Sequence, residues 1–145
     1  MKKLIVLLFI AIAAVSCSET EDNTPVDPVD DDFDPTEMNV TLVKEGSLVG
    51  VGHSVTGEVK IYENNNGNLV VVFDPFMSQN GPDLKVYLSK DENAKEYQNL
   101  GPLKSVTGKQ SYEVSGMPDL MQYKYVIIWC QEFSVLFGIA ELHMP

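Results

Sequence analysis

Cys17 and Cys130, His53 and His143, and six methionines are the side chains of this 145-residue chain suited to redox or soft-metal chemistry. Their spacing limits what that chemistry could be. No Cys-x-x-Cys-His run occurs, so a haem would have to be held noncovalently, by a histidine with a methionine such as Met77, Met117 or Met121. Type-one copper needs a thiolate and two histidines converging, with the cysteine and last histidine a few residues apart, whereas Cys130 and His143 are separated by thirteen positions. Packing accounts for both histidines: His53 is expected to satisfy a hydrogen bond at a strand start, and His143 to lie in a fraying tail. No cofactor is therefore predicted, with a noncovalent haem as the one kept in view. The Asp74–Asp83 stretch gathers two carboxylates, two amides and the exposed-looking aromatic Phe76, but matches no EF-hand spacing and reads as a turn with Asx hydrogen bonds. Gly-x-Ser-x-Gly is absent, no histidine stands beside a nucleophile, and the carboxylates are scattered, so the chain is not read as an enzyme.

The chain that must position these residues divides into three unequal parts. Lys2 and Lys3 precede an apolar run of twelve residues, Leu4–Val15, then Ser16 and Cys17. That order is a secretory signal over 1–16, too short to span a bilayer, since crossing needs about twenty residues. Ala14-Val15-Ser16-Cys17 resembles the bacterial lipoprotein signal, with alanine in place of the commoner leucine. The resemblance implies that Cys17 is acylated (palmitate among the chains) and becomes the mature N-terminus. Several acyl chains make a stable anchor where one holds only marginally. Residues 18–40 carry nine acids, three prolines and no lysine, a composition expected to stay unfolded, so 17–40 is read as a lipid-anchored tether reaching up to roughly 75 Å. Ser18 resembles an outer-membrane sorting signal, and Glu19, Glu21 and Asp22 a surface-export signal.

Residues 41–145 are expected to form one β domain. Eight lysines against twelve acids give it about −4 of the chain's total of −11, and the chain contains no arginine. Nucleic acid is excluded as a partner, because phosphate recognition needs a basic patch. Seven short runs rich in β-branched and aromatic residues recur between turn signals, from TLVKEGSLVG to FSVLFGIAELHM. They predict an antiparallel sandwich or barrel of seven to eight strands. Asn66-Gly67 predicts a tight hairpin with positive φ at both residues. Val55, Gly57, Val59 and Ile61 should share one strand face, and Thr56, Glu58, Lys60 and Tyr62 the other. Val126–Trp129, apolar on both faces, belongs in a sheet centre. Asp91–Leu100 has room for one short helical turn.

Gly52–Val59, Gly81-Pro82-Asp83-Leu84, the Leu100–Lys104 turn, Gly108–Tyr112, and Trp129-Cys130 followed by Phe133 and Phe137-Gly138 resemble the DM13 domain. The resemblance covers Gly46–Leu142. It implies a small all-β domain of the kind found in bacterial surface proteins and beside DOMON domains in animal matrix proteins. The family has been proposed to be cytochrome-like or redox-active through a cysteine, which by position is Cys130. Cys130, His53 and Trp129 are accordingly the candidate redox or ligand residues. Once Cys17 is acylated, Cys130 has no partner thiol in the chain, and its apolar strand predicts a buried, weakly nucleophilic sulfur. The primary expectation is thus a lipid-anchored interaction module at the outer membrane or cell surface. It would bind an envelope protein or glycan. The alternative is an electron-transfer domain using Cys130.

Overall fold

Alternation of apolar and polar residues, with Gly and Asn at the reversals, folds this chain into strands alone. A computed structural model describes residues 24–145, and among them there is no helix. The strands are β1 (Val29–Asp30), β2 (Val40–Gly50), β3 (Val55–Asn64), β4 (Leu69–Ser78), β5 (Leu84–Ser89), β6 (Tyr97–Pro102), β7 (Gly108–Val114), β8 (Tyr125–Cys130) and β9 (Val135–Glu141). They form one sheet in the order β1-β7-β4-β3-β2-β9-β8-β5-β6, antiparallel except where β1 runs parallel to β7. The sheet curls until β6 approaches β7, where Gln98 Nε2 donates to the Ser115 carbonyl at 2.8 Å. This is an all-β half-barrel rather than two stacked sheets.

The predicted faces of β3 are observed: Val55, Val59 and Ile61 are buried, and Thr56 and Glu58 exposed. Inward residues of the neighbouring strands complete the core, among them Val71 and Phe73 of β4, Val86 and Leu88 of β5, and Val126 and Ile128 of β8. β8 lies between β5 and β9, in the sheet interior as its two apolar faces predict. β3 and β4 pair antiparallel across the asparagine turn, but by a different geometry from the one expected. Only Gly67 has positive φ (81°), while the Gly67 N–H donates to the Asn64 carbonyl, and Asn64 Oδ1 accepts from the N–H groups of Asn66 and Asn68. The Asn64 side chain closes the turn, so Asn66 has no need of the left-handed region.

Two strands escape the sequence pattern. β6 begins at Tyr97, within the Asp91–Leu100 stretch where a helical turn had room; it is an edge strand with Gly101 and Pro102 and no β-branched residue. The turn before it is closed by Asp91, whose carboxylate accepts from the N–H groups of Asn93, Lys95 and Glu96. β1 arises within the acidic stretch.

Residues 24–40, expected to be part of an unfolded tether, lie against the barrel. Thr24 Oγ1 donates to the Gly81 carbonyl, and the Pro25 carbonyl accepts from Val106 N–H and the Ser105 hydroxyl. Asp31 accepts from Lys104 Nζ and from the N–H and hydroxyl of Ser111. Phe33 is buried against Tyr62, ring centroids 5.2 Å apart. Composition failed here because one aromatic side chain and sheet-edge backbone bonds suffice to hold a short segment, however polar the rest of it is. Gly108 belongs to the same contact: its φ is +98°, and a Cβ there would overlap the Val29 carbonyl oxygen. The signal over 1–16, Cys17 and the tether up to residue 23 lie outside the described residues.

Candidate functional site

Cys130 ends β8, paired with Leu84 of β5 and Val135 of β9. With Val126 and Ile128 it faces inward, and its side chain is fully buried in the apolar core. The thiol donates to the Pro82 carbonyl, Sγ to O 3.0 Å. The same turn is held from the other side by Gln131 N–H, which donates to the Asp83 carbonyl at 3.0 Å. Gly81 precedes it because the Phe137 ring leaves no room: a Cβ at position 81 would stand 2.7 Å from that ring. The His53 imidazole lies flat on Phe137, centroids 3.7 Å apart and planes 7° from parallel. Thr24 closes the corner from outside, through its bond to Gly81.

His53 and Cys130 therefore share one end of the barrel without meeting, because the Phe137 ring and the Gly81-Pro82 turn stand between them. Stacking on Phe137, rather than the expected hydrogen bond, is what positions His53. Trp129 points the opposite way from Cys130, onto the outer wall, where it is half-buried. There it stacks with Tyr87 at 6.4 Å, and Tyr87 with Tyr97 at 4.1 Å. Burial, with Tyr97 alongside, pushes the Tyr87 hydroxyl up to about 12.

His143 is not frayed. Its backbone exchanges two hydrogen bonds with Glu45, at 3.0 and 2.9 Å. Glu45 is five residues before the end of β2, which places His143 roughly 15 Å from the His53 end at strand rise. Met117 and Met121 sit in the loop before β8, also at the far end, and Met77 is exposed on the outer side of β4. Met77, opposite Thr56 of β3, is at the His53 end, while His143, Met117 and Met121 lie toward the other. Among the described residues no three His, Cys, Asp or Glu side chains are grouped to hold a metal ion. His143, held at Glu45, stands too far from His53 and Cys130 for the three to converge as type-one copper requires. In the Asp74–Asp83 stretch, Phe76 is buried rather than exposed, and the Asp83 carboxylate pairs with Lys85 at 2.6 Å.

The sequence did not reveal a buried polar clasp beneath the N-terminal segment. Gln110 Oε1 accepts from the Tyr112 hydroxyl at 2.7 Å, and Gln110 Nε2 donates to the Ser105 carbonyl at 2.7 Å. Burial raises the Tyr112 hydroxyl well above its ordinary range. The inward position of Gln110 and Tyr112 in the alternating run of β7 was the available signal.

The family described as Electron transfer DM13 matches residues 47–142. No curated protein and no solved structure matches the chain.

Proposed function

The chain belongs to the electron-transfer DM13 family, and from that premise we propose that it is an electron-transfer domain held at the outer membrane or cell surface by a lipid on Cys17, with Cys130 as its redox-sensitive centre. The family match carries the reading; the geometry narrows the mode. A fully buried Sγ cannot meet a second thiol without opening of the 81–83 turn, so thiol–disulfide exchange through the closed fold is disfavoured. One-electron oxidation of the thiol needs no contact with the acceptor, an external one-electron oxidant, but it also releases the S–H proton, which leaves to water when the 81–83 turn opens. Trp129, next to Cys130 and half-buried on the outer wall, supports passage between the interior and the surface. No catalytic role is proposed for any residue.

The test is voltammetry of the purified full chain beside absorption spectra taken oxidised and reduced. A reversible wave that is lost in Cys130→Ala, while the variant still melts cooperatively, supports the reading. No wave and no reducible band in the wild type would sink it. That result would favour the second reading, an interaction module for an envelope protein or glycan. Its specific support is an apolar groove of about 390 Å³ on the outer wall, lined by Val49, Val51, Tyr125, Leu136 and Ile139 between Glu92 and Glu141.

A further inference from the structure

The described chain enters the fold at one end of the barrel. Thr24 bonds to Gly81, and Pro25 and Asp27 bond to Ser105, all in loops at the end where β4 and β8 finish and β5 and β7 begin. Four separate segments at or beside that end each present a large apolar side chain to solvent. They are Val26 in the entering chain, Val51 between β2 and β3, Met77 near the close of β4 and Phe133 between β8 and β9, exposed by 62, 43, 63 and 60 %. Lys85 and Lys104, near the same end, are already paired with Asp83 and Asp31. What this end offers is apolar contact rather than a cationic patch.

Chain length decides what can cover it. Six residues lie between Cys17 and Thr24, and the seven steps span at most about 25 Å. The opposite end also exposes methionines, Met38, Met117, Met121 and Met144. Yet β3 alone is ten residues, about 33 Å, longer than the fully stretched leash, so the barrel could not rest on that end. Resting on the entry end requires none of that length.

We infer that the entry end is a lipid-facing surface, with Val26, Val51, Met77 and Phe133 seated against the bilayer that holds the acylated Cys17. The inference rests on the lipid anchor proposed above. Each tip contributes little by itself, but an anchored domain needs only enough contact to favour one orientation. The corner containing His53, Phe137 and Cys130 then faces the membrane, and the Met117–Met121 loop faces away.

The experiment uses the full acylated chain in phosphatidylcholine vesicles containing phosphatidylcholine with brominated acyl chains. In a Trp129→Phe background, Phe133→Trp should lose its fluorescence severalfold to the bromines, and Met121→Trp should keep it, in low and high salt alike. Equal quenching at both ends, or none at Phe133→Trp in protein that floats with the vesicles, overturns the orientation while leaving the anchor intact. A chain that does not float with the vesicles overturns the anchor, and the orientation with it. Should the Trp129→Phe background fail to fold, wild-type chain on the same vesicles is treated with chymotrypsin. Cleavage after Phe133 should be suppressed by the vesicles and cleavage after Tyr97 unaffected; equal suppression overturns the inference.

Discussion

Cys130 is where family chemistry and local packing meet. Its sulfur fills core space under Pro82, so in the folded protein a thiol reagent must wait for an opening of the 81–83 turn. Labelling of the native chain should be slower by orders of magnitude than labelling in denaturant, and fast native labelling would show an exposed thiol instead. Cys130→Ala removes the buried sulfur and should cost about 1 to 2 kcal/mol, read from the denaturation midpoint. Asp31 makes a prediction of the opposite kind, because its effect is electrostatic. Burial pushes its carboxyl up, but Lys104 and the N–H and hydroxyl of Ser111 outweigh this and hold it below the ordinary value. A carboxylate depressed on folding stabilises above its unfolded pKa of about 4, and that contribution is lost as pH falls through the folded value. Melting temperature should therefore drop on acidification below about pH 4, and less steeply in Asp31→Asn, which is already destabilised at neutral pH. Parallel pH profiles for the two proteins would remove Asp31 from this role. Of the residues singled out from sequence, inward Cys130 and outward Trp129 follow from the period of two along β8. The seat of His53 on Phe137, 84 residues away in sequence, does not.

Among the elements, the segment 24–39 changes most between composition and structure. Nine acids in residues 18–40 favour an unfolded chain when the whole stretch is averaged. Docking depends instead on single places: Phe33 on Tyr62, Asp31 on Lys104, and two rungs of parallel ladder at Gly108 and Lys109. A chain beginning at Val40 should accordingly melt well below the full domain. Phe33→Ala alone should cost about 3 kcal/mol, by analogy with other buried phenylalanines, and an unchanged denaturation midpoint would mean the segment is not held in solution. β6 was missed for a related reason: an edge strand paired on one side tolerates Gly and Pro and carries little of the alternation that identifies inner strands. β3, β4, β5 and β8 were legible because they bury at least one full face.

For the whole molecule, half of the neighbouring strand pairs in the sheet join elements that are not consecutive in the chain. β1 pairs with β7, β2 with β9 and β5 with β8, so much of the sheet forms only after long loops have closed. Refolding from denaturant should be slow for a domain of this size, on the millisecond to second scale, and a microsecond phase carrying the full amplitude would contradict the topology. What the sequence alone determined is the all-β class, most strands and the inward row containing Cys130, because period-two burial and turn residues are local signals, while the family came from the resemblance of its motifs. Which strands become neighbours, that the sheet curls into one half-barrel, that 24–40 docks on its edge, and that Phe137 and Gly81-Pro82 separate His53 from Cys130 were decided by tertiary structure. Those outcomes turn on contacts between residues far apart in the chain, such as Phe33 with Tyr62 or Thr24 with Gly81, and no periodicity within a segment encodes its distant partner.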